Sequence, residues 1–177
     1  AVDSGIEHLL NLSLDPNTLI GDLDSISKKS LDEVKKNGVK ILAFNSNKDQ
    51  TDFELALNYL EETEKSKVYI IGGESGEIDH LISIFLLIPS KSFFENIIWL
   101  YGDKRIIFRQ KLELNIKKLT KFSVIPLTDL TNLSIDGAEW NLDNKDIQFG
   151  ETLTLRNNTN EEQLNIRCDK GVFALIY

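Results

Sequence analysis

Two hydrophobic periods alternate along residues 30–102. Apolar positions three and four apart mark helices, and short β-branched runs mark strands. SLDEVKKNG (30–38) predicts a helix opened by a capping box of Ser30 and Glu33 and stopped by Gly38. VKILAF (39–44) predicts a strand directly after it. TDFELALNYLEETEK (51–65) predicts an amphipathic helix, with Phe53, Ala56, Leu57 and Leu60 on one face and a second capping box of Thr51 and Glu54. KVYIIGG (67–73) reads as a strand running into glycines, IDHLISIFLLI (78–88) as a largely apolar helix, and IIWLYG (97–102) as another strand. Strands alternating with helices imply a parallel α/β sheet.

Past Gly102 the helical period fades. β-rich runs recur at 104–110, 121–127, 133–142, 152–157, 163–168 and 172–177, separated by Asp-Gly, Asn-Asn and Asp-Lys-Gly turn signals. The expected fold class is therefore α/β. A mostly parallel α/β sheet domain spans 1–102, and an antiparallel β-sandwich domain spans 103–177.

Composition narrows the function. The 177 residues carry a formal net charge of −8, which disfavours a nucleic-acid partner because such binding needs a basic surface. No apolar run is long enough to cross a membrane, so no membrane partner is expected. Cys168 is the one cysteine, which excludes an internal disulfide and a paired-cysteine zinc site and points to a reduced, cytoplasmic setting. The chain lacks methionine and opens Ala-Val-Asp-Ser-Gly, which reads as the tail of a strand; residues are expected to precede Ala1 in the native chain.

The candidate chemistry is acidic. LIGDLDSI (19–26) sets Asp22 and Asp24 two residues apart where an apolar strand ends. In an extended segment they would face one space, and two anions that close favour a cation between them. A solvated turn capping the next helix is the competing reading of these eight residues. Further acids follow the other strands: Asp3 after the first, Asp49 and Asp52 after VKILAF, and Asp79 with His80 after KVYIIGG. Ligands of open α/β sheets bind at that edge, and an oxygen-rich, His-poor cluster suits Mg²⁺ with a phosphorylated substrate. Each acid also has a plain reading as a helix N-terminal charge. Gly72, Gly73 and Gly76 match neither common phosphate-loop spacing.

In order, DSG (3–5), GDLDS (21–25), DQTDFELAL (49–57), GEIDH (76–80), GAEWNL (137–142) and NN (157–158) resemble the motifs of the thiamine pyrophosphokinase (thiamine diphosphokinase) family along essentially the whole chain. The resemblance implies transfer of pyrophosphate from ATP to thiamine, giving thiamine diphosphate and AMP. It implies Mg²⁺, and a homodimer with its active site between the α/β domain of one subunit and the β domain of the other. It assigns Asp22, Asp24 and Asp52 to both metal and catalysis, and Asp79 and His80 to catalysis. Asp3, Asp49, Gln50, Thr51 and Gly73 fall to ATP, and Trp140, Asn157 and Asn158 to thiamine. Two positions depart from the family pattern: its Arg is Glu77 here, and the Ser of its Ser-Asn pair is Asn157. Glu77 sets an anion where a phosphate-binding cation is expected, with Lys48, Lys104 and Arg156 as possible replacements. It keeps open a second reading, a catalytically weak or inactive homologue that binds thiamine or nucleotide.

Overall fold

The structure is a computed structural model that describes residues 1–63, 66–73 and 76–177. It is a mixed α/β fold whose chain divides into two compact units, Ala1–Lys65 and Ser66–Tyr177. Among the described residues no helix is long and apolar enough to cross a membrane.

In the first unit, helix α1 (Gly5–Asn11) precedes strand β1 (Thr18–Gly21), helix α2 (Lys28–Lys36), strand β2 (Lys40–Ala43) and helix α3 (Asp52–Thr63). Strands β1 and β2 pair in parallel, and Val2 adds a parallel bridge to Ile20. Ile6, Leu19, Ile26 and Val34 form the core beneath them. Helix α3 starts where its sequence pattern says, with Thr51 Oγ1 accepting the Glu54 amide at 3.1 Å. The last two residues expected in that helix, 64 and 65, lie outside the described residues, as does the start of the 74–80 segment.

The start of α2 differs from expectation. Ser27, not Ser30, is the N-cap, and its hydroxyl accepts the Ser30 amide at 3.1 Å. The acid that completes the cap is Glu7 of α1, not Glu33. Glu7 accepts the Ser27 amide at 3.1 Å and the Ser30 hydroxyl at 2.7 Å. A capping box is thus assembled from two helices, which no local sequence rule detects.

The second unit holds two sheets. In one, strands β3 (Val68–Ile71), β4 (Ile97–Tyr101), β5 (Lys104–Arg109), β7 (Lys121–Pro126), β10 (Asn157–Asn158) and β12 (Phe173–Ile176) run in the order β10-β7-β12-β5-β4-β3. Only β3 and β4 pair in parallel there. Helix α4 (Ile78–Leu87) connects these two. Strands β6 (Lys111–Asn115), β8 (Leu130–Asp136), β9 (Leu142–Ile147) and β11 (Gln163–Arg167) form the other sheet, in the order β6-β11-β8-β9. Ile107, Phe122, Val124 and Phe173 from one sheet share a core with Leu133, Ile135, Leu164 and Ile166 from the other. Strand β4 pairs with β5 across residues 102–103, so hydrogen bonds run through the point where the sequence grammar changes.

Three features of this unit depart from the sequence pattern. Strands β6 and β9 were not expected. Residues 152–156 do not form a strand; Thr154, buried, anchors this stretch by donating its hydroxyl to the Val124 carbonyl at 2.6 Å. The expected strand over 133–142 breaks at Gly137, whose φ is +86° and where a Cβ would collide with the Gln163 carbonyl oxygen.

Removing the Ser27 hydroxyl (Ser27→Ala) is expected to cost about 1 kcal/mol, read as a lower urea midpoint at unchanged slope. Hydrogen bonds from Ser30 and Ser27 hold the Glu7 carboxyl below its ordinary value. A depressed carboxylate contributes stability above its unfolded pKa and loses it as pH falls through the folded one. Glu7→Gln should therefore destabilise at pH 7, and the difference from wild type should close in acid. A difference that persisted at pH 2 would contradict this account.

Candidate functional site

Strand ends and tight turns bring the acids of the first unit together. Asp3 follows the Val2 bridge, with its amide donating to the Ile20 carbonyl at 2.8 Å. Asp22 follows the last residue of β1, and Asp52 is the first residue of α3. One carboxylate oxygen from each of Asp3, Asp22 and Asp52 lies within 4.8 Å of the other two. Gly21 makes the approach possible: a Cβ there would stand 3.2 Å from the Asp3 side chain.

Asp24 reaches the cluster by a turn rather than by strand alternation. Strand β1 ends at Gly21, and Leu23 takes a left-handed φ of +68°. The Asp24 amide then donates to Asp22 Oδ1 at 3.2 Å. That amide, followed by the Ser46 hydroxyl, the Asp24 carboxyl and Lys48, lowers the Asp22 pKa. Asp24 moves the opposite way. Its hydrogen bond to Asp22 and the charge of Asp22 raise its pKa most, with burial and the charges of Asp3 and Asp52 adding to them. Of the two, Asp24 is therefore the one that takes up a proton first as pH falls.

Lys48 supplies the cation within the cluster, 3.0 Å from Asp52 Oδ1 and 4.0 Å from Asp22 Oδ2. Ser25 donates its hydroxyl to Asp3 Oδ2 at 2.6 Å. Asp3 Oδ1 is buried and has no hydrogen-bond partner among the described residues, and the contact of Asp52 Oδ1 is the Lys48 ion pair. A buried carboxylate oxygen without a donor is costly unless a cation completes it. Three converging carboxylates with such an oxygen fit a hard, oxygen-seeking divalent ion. Sequence reasoning named Asp3 only in support and did not single out Ser25; their part depends on the Val2–Ile20 pairing, which no local motif encodes.

The remaining residues with expected roles are placed as follows. Asp49 is exposed. Gln50 donates to Glu54 Oε1 at 3.1 Å, and the Thr51 hydroxyl is engaged as the cap of α3. In the second unit, Gly73 has φ +99°, and a Cβ there would press to 3.1 Å on the Trp99 ring. Glu77 is the exposed N-cap residue of α4 and makes no side-chain bond to the helix end. Asp79 Oδ1 accepts the His80 amide at 2.8 Å, and both residues are exposed. Lys104 is paired with Asp103 at 2.8 Å, while the Arg156 amide donates to the Ser123 hydroxyl at 3.0 Å.

Trp140, whose sequence context allowed a core position equally well, is 58% exposed. Asn157 is buried beside it, and Asn158 donates to Glu139 Oε2 at 2.8 Å.

Solved structures share this fold. The crystal structure of thiamine pyrophosphokinase from Bacillus subtilis aligns with a TM-score of 0.87 at 24% identity, covering 99% of this chain and 84% of that one. A thiamin pyrophosphokinase family protein from Enterococcus faecalis aligns with a TM-score of 0.87 at 25% identity, covering 99% and 86%. The fold is of mixed α/β class, and the match to a family model for a pyrophosphokinase catalytic domain makes the chain a transferase. The family model for the thiamin pyrophosphokinase catalytic domain matches residues 1–99, and that for its vitamin B1 binding domain matches 109–173. The chain belongs to the thiamin pyrophosphokinase family. Among curated relatives, thiamine pyrophosphokinase of Bacillus subtilis (strain 168) is 29% identical over 181 residues, covering 99% of this chain and 84% of that protein. Thiamine pyrophosphokinase 2 of Arabidopsis thaliana is 23% identical, and the match spans 91% of this chain and 65% of that protein.

Because Asp24 is held above its ordinary pKa, its ionisation opposes folding at neutral pH and not in acid. Asp24→Asn is expected to raise the thermal midpoint at pH 7 in chelator, with the gain vanishing as pH falls below the ordinary carboxylate range. Added Mg²⁺ should narrow that gain by stabilising the wild type more. A variant less stable than wild type in chelator at pH 7 would refute the repulsion.

Proposed function

We propose that this chain transfers the pyrophosphoryl group of ATP to the hydroxyethyl oxygen of thiamine, yielding thiamine diphosphate and AMP. The thiamine diphosphokinase function is supported together by the two family models, the curated relatives and the solved structures of the same fold. The observation that carries the chemical reading is the convergence of Asp3, Asp22 and Asp52, with a buried, unpartnered oxygen among them.

In this reading Asp22, Asp24 and Asp52 hold Mg²⁺ with Asp3. Bound there, the ion would supply positive charge against the polyphosphate oxygens. The chain's own residues then position the reactants. Asp49, Gln50, Thr51 and Gly73 attend the nucleotide, while Asp79 and His80 attend the reacting phosphates. Lys48 limits repulsion between the carboxylates and the incoming polyphosphate. Trp140 offers its exposed face to the aminopyrimidine ring, with Asn157, which is bonded to the Trp140 backbone, and Asn158 as the further thiamine residues. The thiamine hydroxyl oxygen bonds to the β-phosphorus as the bond from that phosphorus to the α-phosphate oxygen breaks; AMP leaves with the electron pair, and the hydroxyl proton passes to solvent. The functional halves are 1–102 and 103–177, an α/β catalytic domain and a β-sandwich thiamine domain. The active enzyme is a cytoplasmic homodimer, with the site between the α/β half of one subunit and the β half of its partner.

Incubation with ATP, Mg²⁺ and thiamine should yield AMP and thiamine diphosphate in equal amounts. Omitting any one component should abolish both products. Asp22→Ala and Asp52→Ala are each expected to lower kcat by about a hundredfold or more. Tight thiamine binding without AMP would instead favour the binding-protein reading, for which Glu77 is the specific motive.

Glu77 gives a separate test. Two like charges about 5 Å apart at an effective dielectric of about 20 repel by roughly 3 kcal/mol before screening. Glu77 is exposed, so solvent removes most of that. Glu77→Arg is expected to lower KM for ATP by less than about tenfold, with KM for thiamine unchanged. A higher KM for ATP would mean that Glu77 serves the nucleotide site.

A further inference from the structure

Asn157 is only 5% exposed, and its amide is spent inside the second unit. Its Oδ1 accepts the Trp140 amide at 3.2 Å and the Asn158 amide at 2.9 Å. Its Nδ2 donates to the Trp140 carbonyl at 2.8 Å. One buried side chain therefore grips both backbone polar groups of a single residue, and that residue carries an indole that is 58% exposed. The rest of the loop is fixed independently. The Glu139 amide donates to the Asn158 carbonyl at 2.8 Å, and the Ala138 amide to Asn141 Oδ1 at 2.9 Å. Gly137, confined by the Gln163 carbonyl, receives the Asn160 amide at 2.8 Å. A loop with its main chain so fully engaged holds its exposed aromatic group in one place before any ligand arrives.

We propose that Asn157 is a positioning residue: it sets Trp140 as a rigid platform for the flat aminopyrimidine ring of the substrate and makes no contact with that substrate itself. This rests on the thiamine reading above and refines the role given to Asn157 there. The physical reason is satisfiability. An Asn amide has two donors and one carbonyl oxygen. Here the oxygen already takes two amides, one Nδ2 proton is committed, and the group is buried among them. A serine would offer a single oxygen with one proton, where Asn157 uses a separate oxygen and amide nitrogen to take two amides and one carbonyl. The Asn in place of the family's Ser is thus a gain in rigidity in this chain.

The test separates action through Trp140 from direct contact. Asn157→Ala should raise KM for thiamine about tenfold, with kcat and KM for ATP within about twofold of wild type. Trp140→Ala should raise KM for thiamine as well, and adding Asn157→Ala to it should change nothing further. A further severalfold loss in the double variant would establish direct contact and overturn the proposal. Asn157→Asp keeps both accepted amides and loses the donor to the Trp140 carbonyl, so it should fall between wild type and Asn157→Ala. It is the variant to read if the alanine protein does not fold. A second readout needs neither activity nor ligand. Trp99, the other tryptophan, is fully buried, so acrylamide quenching and fluorescence anisotropy report the exposed Trp140. Asn157→Ala or Asn157→Asp should lower the anisotropy and steepen the quenching. An unchanged indole signal in both would refute the clamp even in an active enzyme. A mobile indole in a protein that makes no thiamine diphosphate would instead uphold the clamp and refute the proposed reaction.

Discussion

Mutual repulsion among four carboxylates is the constraint around which the first unit is built. Asp3, Asp22 and Asp52 bring oxygens within 4.8 Å of one another, and Asp24 is hydrogen-bonded to Asp22. Such a cluster forms only where the chain gives it little choice. Leu23 has φ +68° and Asp3 has φ +45°, conformations that cost a non-glycine residue about 1–2 kcal/mol. Gly21 leaves room for the Asp3 side chain, and the parallel bridge between Val2 and Ile20 fixes the approach. Strain and repulsion are both tolerable because Leu19, Ile6 and Val34 are fully buried beneath the turns.

The charges are balanced unevenly, and that unevenness gives each acid its character. Lys48 lies nearer to Asp52 than to Asp22, and Ser25 serves only Asp3. Asp22 is stabilised as an anion by the Asp24 amide, while Asp24 pays for its neighbours by holding its proton more tightly. Two neighbouring carboxyls of one cluster are therefore shifted in opposite directions.

Taken by itself, the second unit uses the same device with neutral groups. Short polar side chains hold a loop so that an aromatic group faces outward. Asn157 grips the Trp140 backbone, Asn158 holds Glu139, and Thr159, fully buried, donates its hydroxyl to the Lys117 carbonyl at 2.7 Å. Beneath them lies a shared core of two sheets, Phe122 and Phe173 from one and Leu133 and Leu164 from the other. Order in the loop derives from hydrogen bonds anchored on that core.

Local pattern was enough for the elements whose signals lie within a few residues. Helix α3 with its Thr51 cap, strands β3 and β4, and the apolar β5, β7, β11 and β12 are all legible from period and turn chemistry. The ordered acidic and tryptophan motifs point to the same family whose catalytic and vitamin B1 binding models match the chain. Other features needed partners distant in sequence. The cap of α2 is completed by Glu7, twenty residues before Ser27. Strand β9 is polar at an edge of its sheet and exists because β8 pairs with it, whereas 152–156, with better β character, is drawn off by the Thr154 anchor. The outward pose of Trp140 and the entry of Asp3 into the carboxylate cluster belong to this second kind. Sequence carries a residue's chemistry and local propensity, but which groups become neighbours is decided only when the chain closes on itself and buried polar atoms must find partners.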